Sequence, residues 1–208
     1  MKTYSVRELS AVHESFDFSI FLGTQWTGTL VDFLQVSTIF DIIKIKVATH
    51  FIDDENNRLF AVWCARKAIA SIGFYQSSLS DALNIAESYA KGSASQQEVI
   101  DAWDGVKFSL HMNVNAYDTV QAAFDFSRPA NESAFSASSN LMLTYNSSKK
   151  GQSLSRQEQV DFLVKLIKSG GTAGACEITG NNHIPVNVGF NQIIWACKNC
   201  GVDVQPHV

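Results

Sequence analysis

A chain of 208 residues with 46% hydrophobic and 17% charged residues has the apolar content for one large core but less charge than the usual quarter. Its formal net charge of −4 argues against a dedicated nucleic-acid binder, which carries a basic stripe; here only Lys44 with Lys46 and Lys149 with Lys150 form tight lysine pairs. A surface so short of charge points instead to contact with another protein, or with copies of the same chain.

The N-terminus reads Met1-Lys2-Thr3-Tyr4 and reaches Arg7 and Glu8 without an apolar stretch, so no signal peptide is expected. The most apolar tract, residues 30–48, is interrupted by Asp32, Asp41, Lys44 and Lys46, so no membrane span is expected either. Four cysteines are too few for a disulfide scaffold, and a reducing cytoplasm is the expected compartment.

Ser5 and Glu8 have capping-box spacing and predict a short helix. Residues 16–29 alternate loosely between aromatic and β-branched side chains around Gly23 and Gly28. They fit a loop, a short strand pair or a bent helix equally. Leu30, Phe33, Leu34, Ile39, Ile42, Ile43 and Val47 recur at three and four, which predicts one or two helices. Asp53, Asp54 and Glu55 suit a helix N-terminus, where free N–H groups attract negative charge. The helix that follows carries Leu59, Phe60, Val62, Trp63, Cys64, Ile69 and Ile72 and ends at Gly73. It is apolar around most of its circumference and reads as the central helix of a bundle, with Arg58, Arg66 and Lys67 on its wet side.

Ser78 or Ser80 should open the next helix, which buries Leu83 and Ala86 and stops at Lys91-Gly92. Ser95 and Glu98 form a second capping box, before Val99, Ile100, Trp103 and Val106. Asn115 or Asp118 opens another helix, which ends before Arg128-Pro129. From 131 to 151 the composition turns to Ser and Asn around an apolar island at 141–145, predicting a long surface loop or a boundary. Ser155 and Glu158 then predict a closing helix with Val160, Leu163, Leu166 and Ile167. Beyond it, Val186, Val188 and Phe190 alternate and Ile193, Ile194 and Trp195 follow, so a hairpin or three short strands are expected between Cys176 and Cys200. The expected fold is therefore mainly α. Residues 1–130 make a helical bundle with an irregular start, 131–151 a loop, and 152–208 a closing helix with a small irregular or β-containing tail.

One compact constellation carries chemistry. Cys197 and Cys200, two residues apart and followed by Gly201, have the spacing that turns two thiolates toward one zinc ion. Cys176, His183 and His207 are the partners available to complete four ligands, Cys176 and His183 being the set taken. No second Cys-x-x-Cys is present, and the competing reading is a pair of half-buried thiols near the chain end. Cys64 lies within an apolar helix and reads as packing. No phosphate-cradling glycine loop, HExxH or GxSxG motif occurs, so an enzyme is not expected. Trp63 and Trp103 fall on apolar helical faces; Trp26 and Trp195 lie in less regular stretches and are the candidate interface anchors.

Residues 58–61 (Arg-Leu-Phe-Ala), Cys64-Ala65, the helix from Ala82 to Gly92 and the acidic helix from Glu98 to Trp103 together resemble the all-helical immunity-protein family of phage and bacterial genomes. Leu83 stands where that family's pattern has isoleucine, and residues 29–34 resemble its preceding helix. The resemblance spans 29–106 and ends there, since the family continues into long Ala/Trp-rich helices and this chain does not. It implies a helical core and a mobile-element setting, and no catalytic residues. The function expected is that of a non-enzymatic accessory protein without a cofactor, which binds and inhibits a protein target, either as an immunity protein or as a counter-defence inhibitor of a host antiviral complex. The alternative is a zinc-stabilised nucleic-acid-binding or regulatory protein built on the tail. It predicts stoichiometric zinc in the purified protein and its loss in Cys197→Ser, read by elemental analysis; metal-free protein of unchanged stability removes it.

Overall fold

A computed structural model describes residues 2–74, 76–109, 114–145, 149–169, 185–187 and 195–197. It is mainly α, with ten α-helices among the described residues. Strand β1 (Thr3–Ser5) leads into α1 (Val6–Val12), then come α2 (Ser19–Leu22), β2 (Thr27–Thr29) and α3 (Leu30–Leu34). Helices α4 (Asp41–Phe51), α5 (Asp54–Ser71), α6 (Ser77–Ala90) and α7 (Gln96–Val106) follow, the last running into a 3-10 turn. Helices α8 (Val114–Ala123), α9 (Ala130–Thr144) and α10 (Lys149–Ser169) complete the bundle. The expected hairpin is present as β3 (Pro185–Asn187) paired antiparallel with β4 (Trp195–Cys197).

Helix α5 is the centre, and α6, α8, α9 and α10 pack around it. Its first turn is held by Asp53, whose carboxylate accepts the Asn56 N–H at 2.8 Å. Asn57, also in the first turn and fully buried, donates to the carbonyls of Thr49 and Ile52, so one side chain satisfies the end of α4 while it starts α5. Further along, Phe60, Trp63 and Phe162 form a three-ring cluster in which each ring contacts the other two, with Phe162 4.5 Å from Trp63, and this attaches α10 to α5.

Arg66 does not lie on a wet side. It is buried and donates from one guanidinium nitrogen to both Asn84 and Glu87 of α6, each at 2.9 Å. A helix wrapped on all sides has no wet face, so its arginine needs a carboxylate partner indoors. Arg58 is half-buried, its guanidinium 4.8 Å from the Phe126 ring and 5.2 Å from Tyr89.

The largest departure from expectation is α9. The Ser- and Asn-rich stretch read as a loop is a helix up to Thr144, packed on α5 and α8. Its buried stripe is Ala130, Ser133, Ala134, Ala137, Ser138 and Leu141, spaced at three and four like any core helix but too weakly apolar to signal as one. The hydroxyls that favour loops are absorbed: Ser133 donates to the Asp125 carbonyl, and Ser139 and Thr144 donate to carbonyls one turn back. Ser138 donates to the Gln159 amide oxygen, a buried bond that joins α9 to α10.

Helix α10 begins at Lys149 rather than Ser155, so Ser155 lies inside it. The Glu158 carboxylate faces Lys67 of α5 at 3.8 Å, a partner on another helix that residue spacing does not reveal. Helix α6 opens after Gln76 without a side-chain cap, and α8 opens at Val114. The capping boxes of Ser5 with Glu8 and Ser95 with Glu98 form as expected.

Because α9 sits on α5 through alanines, added bulk there should be felt. Ala137→Leu is expected to destabilise the fold by about 1–3 kcal/mol, the usual cost of overpacking, read as a lower urea midpoint with an unchanged slope.

Candidate interaction surface

The ambiguous stretch 16–29 builds a closed loop that carries an exposed apolar pair on a base of packed aromatic rings. It is closed at both ends. Strand β1 pairs with β2, placing Tyr4 opposite Gly28, and each strand runs into a capping box: Ser5 with Glu8 at α1 and Thr29 with Asp32 at α3. The Thr29 hydroxyl and N–H both donate to Asp32, at 2.7 and 2.8 Å, and these bonds hold its carboxyl below the usual range. Inside the loop Asp17 does the same for α2, accepting from the Ser19 hydroxyl and N–H, and its carboxyl is lowered by those bonds.

Phe18 anchors this loop, fully buried against Phe33 at 5.7 Å. Phe16 packs edge-on to Phe18 and stacks on Phe21 at 5.0 Å. The chain of rings thus runs from the core to the surface, where Ile20 is 74% and Phe21 38% exposed. Helix α2 buries none of its residues; Phe21 leans on Phe16, while nothing in the helix's packing requires an isoleucine at position 20.

Trp26, one of the two candidate anchors, is half-buried at this loop's end, 6.4 Å from Phe33. Its indole lies flat on Gly28: a Cβ at position 28 would come within 2.6 Å of the ring. The tryptophan is therefore a fixed side wall of the surface. Gly23, with φ of 82°, makes the turn that ends α2 and accepts the Trp26 N–H.

Trp195 lies in β4 opposite Asn187, and Cys197 lies opposite Pro185. Cys176, His183 and Cys200, the other members of the expected zinc set, lie outside the described residues. Among the described residues no group of three His, Cys, Asp or Glu side chains could hold a metal, and no helix is long and apolar enough to cross a membrane. Cys64 is buried and burial pushes its thiol well up, as expected of a packing cysteine. Tyr145 is pushed up to about 12, first by burial and then by the nearby Glu158, so its phenol stays protonated. Trp63 and Trp103 belong to the packed interior: Trp63 is buried, and Trp103 stacks on Phe124 at 5.1 Å.

Ile20 and Phe21 were not legible as surface residues, because a four-residue helix shows no periodicity. The cue was the aromatic density of 16–26, with too few polar positions to alternate against. No protein-family model, curated protein or solved structure matches the chain. The resemblance to the immunity-protein family therefore rests on residues 29–106 alone.

Gly28→Ala is expected to displace the Trp26 indole. Its N–H cross-peak, identified by its loss in Trp26→Phe, should move in a nitrogen–proton spectrum while the other indole signals stay; an unmoved peak removes the contact as a constraint.

Proposed function

We propose that the protein is a non-enzymatic accessory protein of a phage or other mobile element, which binds a protein target and blocks it by occupying its surface. The observation that carries this reading is the α2 surface, where Ile20 and Phe21 stand in solvent on a ring stack rooted in the core. Exposed apolar side chains on a preorganised base gain binding energy without ordering cost. Aromatic anchors of this kind dominate the energy of protein interfaces, and Trp26 adds a rigid flank. The charge-poor composition fits an interface with few ionic contacts. The resemblance over residues 29–106 supports the mobile-element setting and the inhibitory role.

The test is affinity capture from a bacterial host lysate with the wild-type chain and with the Ile20→Asp, Phe21→Asp double variant. A stoichiometric protein partner that co-elutes with wild type in gel filtration is expected. The double variant should lose it, with binding weakened on the order of a hundredfold while helicity is unchanged. Equal capture by both proteins overturns the assignment of the surface, and recovery of nucleic acid alone overturns the protein-binding reading.

A further inference from the structure

A second candidate site, sharing no lining residue with the α2 surface, is a cleft of about 530 Å³ between α3, the start of α4 and the outer side of α10. Its volume is in the range of pockets for small organic ligands. One wall is a single stripe of α10, with Gln157, Asp161, Lys165 and Lys168 three or four residues apart. Leu34, Val160 and Val164 give it an apolar base.

Lys44 is the unusual member. It is only 5% exposed yet lines the cleft. An ammonium has three N–H donors. Among the described residues Lys44 commits one, to the Asp41 carboxylate at 3.1 Å. Its other two N–H groups have no protein acceptor among the described residues, so they can donate to a group held in the cavity. Lys165 and Lys168, both exposed, have no carboxylate partner among the described residues. Three lysines therefore line one cavity in a chain whose net charge is −4, one of them paired with Asp41.

The counter-charge is oriented as well. Gln157 donates to one Asp161 oxygen at 2.9 Å, leaving the other able to accept a hydroxyl or amine hydrogen bond. Lysines act on phosphate as point charges, without the fork geometry by which arginine favours planar carboxylates. We propose that this cleft binds a small organic phosphate. Its phosphate would sit among Lys44, Lys165 and Lys168, its apolar body against Leu34, Val160 and Val164, and a hydroxyl or amine would donate to Asp161. The cleft is too small for a nucleic-acid duplex, and its ligand class is that of a nucleoside monophosphate or sugar phosphate. This site goes beyond the protein-binding reading and stands or falls without it.

Calorimetric titration of the full chain with adenosine monophosphate, uridine monophosphate, glucose 6-phosphate, citrate and inorganic phosphate tests it. At least one organic phosphate should bind saturably at one site per chain, more tightly than inorganic phosphate and than citrate. Lys165→Gln with Lys168→Gln, two exposed changes that leave the core untouched, should weaken that binding on the order of a hundredfold. Lys44→Met should weaken it further. Absence of saturable binding by all three organic phosphates overturns the proposal, as does binding that the Lys165→Gln, Lys168→Gln variant leaves unchanged. Tighter binding of citrate than of any phosphate overturns the ligand class, and organic phosphates no tighter than inorganic phosphate overturn the role of the apolar base.

Discussion

Helix α5 buries twelve of its eighteen residues, more than one side of a helix can hold, so it must be wrapped rather than merely covered. That requirement organises the bundle. Helices α6, α8, α9 and α10 supply the wrapping, and three of them are attached by visibly different chemistries. Alanines predominate on the α9 face, the Arg66 pair with Glu87 and Asn84 reaches α6, and the Phe60–Trp63–Phe162 stack carries α10. Burying Arg66 is tolerable because Glu87 and Asn84 meet it.

The wrapped core leaves function to the periphery. The α2 surface rests on short elements that the core holds in place, and the cleft lies along α10. The α2 surface depends on Phe18 and Phe33 reaching inward, and on the β1–β2 pair that closes the loop carrying it. The lysine cleft depends on α10 being pinned by Phe162 and Gln159, because these side chains set which stripe of α10 faces outward. The two sites share no residue.

Much of the helical order was legible in the residues. Capping boxes at Ser5 and Ser95 and the Asp53 start formed where the spacing placed them, because caps are local and depend on residues three apart. Trp26 was singled out for its irregular setting, and the structure places it beside the exposed aromatic loop. The Ser155 spacing was misleading. A capping box is also an ordinary helical i, i+3 pair, and Glu158 faces Lys67 of a helix some ninety residues earlier. The α9 stretch misled for the opposite reason. Its six serines and asparagines suit loops locally, and only the acceptors on other segments, Asp125 and Gln159, make two of those serines suitable for a core.

The sequence by itself determined that the chain is mainly helical, that its most apolar helix is central, and where several helices begin, since periodicity and capping are properties of near neighbours. Only the tertiary structure decided that Ala130–Thr144 is core rather than loop, that Arg66 is indoors, that Ile20 and Phe21 are left in solvent, and that Lys44 meets Lys165 and Lys168 at one cleft. Each of these depends on which distant segment stands opposite. A small residue becomes a core residue, a buried charge becomes tolerable and separate lysines become a site only when packing brings their partners, or their lack of partners, into one place.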